Sequence, residues 1–269
     1  MRMVEFARGS LAVAAASLGV LTLTYGDLTP LGQSLPAGIP GRDIWIYGPA
    51  LLLLVAGAGL CFRRTALPSV LTIGGYHSLW ALSSVRPILA KPLSVGSWYG
   101  FCEALTALAG AWILYALLRW QRHSPKLPVA SARAVRLAQI FFGLTCAFYG
   151  LSHFLYAEYT ASMVPSWLPD HLRFAYFTGL GHLAAGMAIA LGILPRLAAT
   201  LEALMMSLFG LLVWVPSFWA NPRPKWAALP ASQWSELVVN VVLVASALAV
   251  VASLSSRPWS FAARSRACD

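Results

Sequence analysis

Charge is what this chain has least of. Only 10% of its 269 residues are Asp, Glu, Lys or Arg, against roughly 25% in a soluble domain, and that excludes an ordinary water-soluble globular fold. Nucleotide-binding and hydrolase signatures are missing too. No GxGxxG turn, P-loop or nucleophile elbow occurs, so the common phosphate-cradling and serine-hydrolase devices are excluded. The four cysteines, Cys61, Cys102, Cys146 and Cys268, form no CxxC pair, which removes a disulfide framework and a thiol-redox motif. No His/Cys group has the spacing of a zinc site, so no metal is expected. Basic residues exceed acidic ones, for a net charge of +10. They are scattered between apolar runs instead of clustered on one face, and nucleic acid is therefore not an expected partner.

Apolar residues fill the space that charge leaves, at 59% of the chain. A bilayer-spanning helix needs about 20 mostly apolar residues, because its backbone groups must pair internally where no water reaches. Eight stretches qualify: 7–26, 44–62, 65–86, 97–118, 136–156, 172–194, 197–219 and 233–254. The expected partner is the lipid bilayer and the expected class is an all-α membrane protein. With a cytoplasmic N-terminus, one side holds Arg2, Arg8, Arg63, Arg64, Arg119, Arg122, Lys126, Arg133, Arg136, Arg196, Arg257, Arg264 and Arg266. The other holds only Arg42, Arg86, Lys91, Arg173, Arg223 and Lys225. This bias obeys the positive-inside rule and puts both termini in the cytoplasm, in an inner membrane. Arg2 and Arg8 before an apolar run resemble a signal peptide. No small-residue cleavage site follows, so this run reads as an uncleaved first helix.

The eight stretches fall into two sets of four with landmarks in one order. Tyr25-Gly26 and Tyr149-Gly150 lie at or near the first helix end. Pro36 and Pro40 match Pro165 and Pro169. Arg63-Arg64 matches Pro195-Arg196, Ala90-Lys-Pro92 matches Ala220-Asn-Pro222, and Trp98 with Glu103 matches Trp234 with Glu236. Four spans is an even number, so the expected arrangement is two parallel four-helix repeats. The predicted units are residues 1–120, a basic cytoplasmic linker at 121–135, and residues 136–269.

The run VPSWLPDHLRFAYFTGLGHLAAGMAIALGILPRLAAT at 164–200, with GLSHF before it and ANP to WSEL after it, resembles the DoxX-like integral membrane proteins. The resemblance covers about 140–254, and the first half shares it only as a diverged repeat. It implies a four-helix membrane fold and a link to quinone-coupled redox assemblies. In the first half, Asp27, Leu28 and Thr29 stand where the second has Leu151, Ser152 and His153, and apolar residues around Ala50 face the His182 region. A single site in the second half is therefore expected.

Ionisable side chains cost about 2.5–3.5 kcal/mol each inside a bilayer on insertion scales, so they are the candidate functional groups. His77, Glu103, His153, His182 and Glu202 fall inside predicted spans, with Glu236 at the mouth of one. All but Glu202 map to the outer half or the middle of the membrane. The predicted ligand-binding set is His153, His182, Glu236 and Glu103, with Trp167 and Trp234 as slot walls. Each has a structural alternative. His182 lies in GLGHLAAG, where small residues let helices approach and a histidine bond across them. His153 is near enough to the interface to reach water. Glu236 would cap a helix, and the tryptophans would anchor at the interface. The aromatic run 216–234 reads as an anchor and partial lid. His153 and His182 are expected about two turns apart in depth, ~10 Å, which disfavours a shared haem.

These features lead to an accessory or quinone-associated subunit of a membrane redox system, with quinone as the candidate cofactor and a membrane or periplasmic redox protein as the candidate partner. Quinone sites pair a flat apolar slot with one or two hydrogen-bonding His or acidic groups. A transporter or lipid-handling protein would instead need polar groups in the cytoplasmic half, and a purely structural partner would have a filled interior. The sequence does not decide whether the protein is an enzyme.

Overall fold

Backbone groups in apolar stretches of this length have no partner but one another, so they coil into helices. The computed structural model describes residues 2–27, 38–123, 129–220 and 230–256. Its elements in order are α1 (Arg2–Tyr25), α2 (Arg42–Leu60), α3 (Ala66–Ser83), the short α4 (Val85–Ala90), α5 (Tyr99–His123), α6 (Val129–Leu155), the short α7 (Ala157–Ala161), α8 (His171–Leu191), α9 (Pro195–Phe209), α10 (Val215–Ser217) and α11 (Pro230–Ser253). No strand occurs among the described residues. Pro36, positions 124–128 of the predicted linker, positions 221–229 of the aromatic run, and Arg257, Arg264, Arg266 and Cys268 lie outside the described residues.

By length and composition this is a multi-pass membrane protein. Seven helices among the described residues are long and apolar enough to cross a bilayer. The predicted stretch 65–86 is the one that falls short. Its helix α3 has 18 residues, and Ser69, Thr72, Gly74, Gly75, Tyr76, His77 and Ser78 dilute its apolar content before Ser84 breaks it from α4. The stretch 197–219 is continuous but not uniform. α9 passes through a π-helical turn at Gly210–Trp214 into α10. Pro216 has no N–H for the carbonyl one turn back, and a π turn absorbs such a missing rung.

Neighbouring long helices run antiparallel in the contact order α1–α2–α3–α5–α6–α8–α9–α11, and α11 returns to α1. α5 and α11 also meet each other. They are the innermost pair, 67% buried over their apolar windows, against 33% for α2, α8 and α9. A methyl group added to Gly110 on α5 would lie 2.5 Å from Cβ of Ser246 on α11, so the absent side chain sets their separation.

Two further helix pairs approach backbone to backbone. A methyl on Gly143 of α6 would lie 2.5 Å from the Gly186 carbonyl oxygen on α8, and one on Gly150 would lie 2.6 Å from that of Gly179. Between α1 and α2, Gly19 meets the Ala50 carbonyl at 2.7 Å and Gly57 meets that of Ala12 at 2.8 Å in the same test. Both pairs use contacts one heptad apart. Gly26, in contrast, lies beyond α1 with φ 63°, while Gly150 is inside α6. The Tyr-Gly landmarks of the two halves therefore occupy different structural positions.

The α8–α9 turn is tight. Gly192, at φ 77°, closes α8 and the Ile193 N–H donates to the Ala188 carbonyl at 2.9 Å, the pattern that satisfies a helix end. Arg136 of α6 donates to the Ile189 and Ala190 carbonyls at 3.0 and 2.7 Å, placing a cation at the negative end of α8.

Gly186→Ala should lower the thermal unfolding temperature in detergent, because its Cβ meets backbone and overpacking costs about 1–3 kcal/mol. Gly75→Ala, whose Cβ meets nothing within 4 Å, should leave it unchanged or raise it. Equal effects from the two substitutions would contradict the close α6–α8 approach.

Candidate functional site

The hairpin of α8 and α9 assembles the centre of the site. Residues equally far from its turn meet at one level, and His182 and Glu202 are equally far from Gly192 along the chain. His182 Nδ1 lies 2.7 Å from Glu202 Oε1, with both side chains sealed from solvent. The Nδ1–H donates to the carboxylate, which fixes the ring and turns Nε2 away from Glu202. Glu202 Oε2 has no hydrogen-bond partner among the described residues, and the Cys146 thiol of α6 borders the same carboxylate.

α6 supplies the second imidazole. His153 Nδ1 lies 3.0 Å from Thr178 Oγ1 and 3.3 Å from the Ala175 carbonyl. Thr178 directs its own hydroxyl hydrogen to backbone carbonyls, Phe174 at 2.9 Å or Ala175 at 3.1 Å. His153 is therefore the donor at Nδ1 and keeps a lone pair on Nε2. The two rings meet edge to face with centroids 5.2 Å apart. Phe209 flanks both, at 6.1 Å from His153 and 5.6 Å from His182.

A hydroxyl network backs this centre. Tyr99 of α5 donates to Ser152 Oγ at 2.5 Å, and Ser152 donates to the Tyr149 carbonyl at 2.7 Å. Tyr149 Oη and Thr106 Oγ1 are 3.0 Å apart, and Thr106 lies 2.7 Å from Thr145 Oγ1 and 2.8 Å from the Cys102 carbonyl. These four buried hydroxyls are thus paired, as burial demands.

These elements enclose a cavity of about 540 Å³. His153, His182, Glu236 and Glu103 all line it, so four of the six residues named from the sequence meet there. Glu103 enters from α5, one turn inside that helix. Ser84, Gly96, Tyr159 and Met163 also line the cavity, which places its mouth at the end of the bundle opposite Arg63, Arg64, Arg119 and Arg196. At that mouth, burial and then the Glu236 carboxylate raise the Tyr159 phenol above its ordinary range. No Lys or Arg lines the cavity among the described residues.

Several expectations need correction. Trp167 does not line the cavity and is 69% exposed, because it sits in the connection before α8. Trp234 does not line it either. Ser235 and Glu236 take the inner face of α11, so the helical rotation turns Trp234 outward, against Phe218 at 4.3 Å. Glu236 is not at a helix start, since α11 begins at Pro230, and capping does not account for it. The two histidines are not two turns apart. The glycine contacts set Gly179 opposite Gly150 and bring its Cβ position within 2.7 Å of the His153 Cβ, and the touching rings leave no room for a porphyrin between them. Glu202, set apart in the sequence as lying on the cytoplasmic side, shares the depth of His182. Its signal was the symmetry of the two residues about the Gly192 turn.

His77 stands apart from this site. It is buried, and its Nδ1 bonds the Ile73 carbonyl at 2.8 Å. Asp27 pairs with Arg42 at 3.2 Å, as a helix-end residue would. Tyr99, Tyr149 and Asn240 also line the cavity and were not distinguished in the sequence, where aromatic and amide side chains carry no pattern of their own.

Breaking a buried pair by removing one partner costs about 3–5 kcal/mol, while replacing both with apolar groups is often neutral. His182→Leu alone should therefore depress the unfolding temperature in detergent more than His182→Leu combined with Glu202→Leu. An additive loss in the double variant would show that the pair is not coupled.

A family model described as a domain of unknown function (DUF8561) matches residues 142–251, a stretch that contains His153, His182, Glu202 and Glu236 but not Glu103. No curated protein and no solved structure matches the chain.

Proposed function

We propose that this protein is a DoxX-like inner-membrane component of a redox system, in which the cavity takes the head group of a quinone. The observation that carries this reading is the His182–Glu202 pair: a carboxylate-oriented imidazole presents Nε2 to a cavity that contains no Lys or Arg among its described lining residues. A carboxylate behind an imidazole fixes its tautomer and its orientation. Aromatic rings and paired hydroxyls complete a slot suited to a neutral, flat, oxygen-bearing ligand.

Passage through the membrane is disfavoured. Phe142, Ile189 and Ala199, each 0% exposed, lie beyond Cys146, His182 and Glu202 toward the basic end and seal it. A one-sided binding site fits that closure better than a transport path. Electrons would be exchanged with a membrane or periplasmic redox partner.

The reading includes eight crossings as two parallel repeats. α3 runs antiparallel between α2 and α5, and its 18 residues reach ~27 Å at 1.5 Å per residue, close to the ~30 Å hydrocarbon core. The α1–α2 and α6–α8 pairs repeat the same close-contact spacing, and the α5–α11 crossing at Gly110 and Ser246 relates two positions that the Trp98–Trp234 alignment makes equivalent. By the positive-inside rule the basic end is cytoplasmic and the cavity opens outward.

Two measurements test this. In a Cys61→Ser background, an impermeant thiol reagent applied from the periplasm should label Ser162→Cys and spare Thr65→Cys; the reverse pattern would invert the topology. Mass spectrometry of protein purified in mild detergent should find a quinone in the parent and much less in His182→Gln. Equal quinone in both, or phospholipid alone, would remove the quinone assignment.

A further inference from the structure

The hydrogen-bonding polarity around the two imidazoles is lopsided. His153 Nδ1–H is committed to Thr178 and Ala175, so its Nε2 offers only a lone pair. His182 Nδ1–H is committed to Glu202, so with the ring neutral its Nε2 is an acceptor as well. Tyr99 directs its hydrogen into Ser152, and Ser152 directs its own into the Tyr149 carbonyl. Tyr149 Oη pairs with Thr106. Glu103 and Glu236 add two carboxyl groups, and neither forms an ion pair among the described residues. A carboxyl that holds a proton still offers more lone pairs than hydrogens.

Around the two imidazoles the cavity therefore presents mainly acceptors, and the Asn240 amide on α11 is a lining group that also donates. A ligand that only accepts hydrogen bonds would leave the lone pairs of the two imidazoles without a donor. A ligand with two O–H groups would satisfy them. Resting on the quinone reading, we infer that the cavity selects the reduced hydroquinone form over the oxidised quinone, with one O–H directed to His182 Nε2 and the other to the acceptors of His153, Glu103 and Glu236. The inference concerns binding of the reduced ligand and invokes no electron transfer within this chain.

Preference for the reduced form makes a bound quinone easier to reduce than a free one. A tenfold preference corresponds to about 30 mV for a two-electron couple.

The test is titration calorimetry of the full chain in detergent, under nitrogen, with a decyl-substituted benzoquinone, with the same compound reduced to its hydroquinone, and with decylammonium as a donor of different origin. The hydroquinone should bind at least tenfold more tightly than the quinone. Glu236→Gln, which exchanges an acceptor for an amide donor at constant size, should narrow that ratio severalfold, and His153→Leu should do the same. Equal affinities, or tighter binding of the quinone, would overturn the inference while leaving the quinone reading in place. Binding of neither quinone form, with or without binding of decylammonium, would overturn both. An unchanged ratio in folded Glu236→Gln and His153→Leu would place the selectivity elsewhere and overturn the assignment of these acceptors.

Discussion

The backbone-to-backbone approach of α6 and α8 is the constraint on which the site depends. Four glycines, Gly143, Gly150, Gly179 and Gly186, leave the helices without side chains at their points of closest approach. In a bilayer there is little hydrophobic drive to associate helices, because lipid is as apolar as leucine, so close packing carries the association. The approach sets the register of α6 on α8, and through it the edge-to-face contact of His153 with His182. With the helices held further apart, His153 would lose Thr178 and His182 would lose one wall of its pocket.

Polar chemistry is arranged around that contact in layers. The His182–Glu202 pair lies deepest, between two arms of one hairpin. The hydroxyls of Tyr99, Ser152, Tyr149 and Thr106 tie α5 to α6. Glu103 and Glu236 come from the two central helices and face the cavity from above. Each element places one or two groups, so the cavity is a property of the whole bundle.

Much of this was readable in advance, for reasons of different kinds. The helices were legible because a membrane leaves the backbone no other option, and their limits are close to those expected for 44–62, 172–194 and 233–254. α3 was read too generously, since a window of apolar residues conceals the cluster Gly74, Gly75, Tyr76, His77 and Ser78 at its centre. His153, His182, Glu103 and Glu236 stood out because ionisable groups are costly in hydrocarbon. Trp167 and Trp234 were misassigned because composition does not report which way a side chain turns on its helix. Glu202 was set aside because its depth was read along one helix, while its neighbour was on the other arm of the hairpin.

The tight turn at Gly192 has a consequence for biogenesis. α8 and α9 leave the ribosome as consecutive segments, and each carries a group that a lone helix would have to drag uncompensated into lipid. Because the turn matches their depths, histidine and glutamate can neutralise one another as soon as the two arms fold together. The hairpin is thus a self-contained insertion unit, whose most polar pair is masked before α11 has been synthesised.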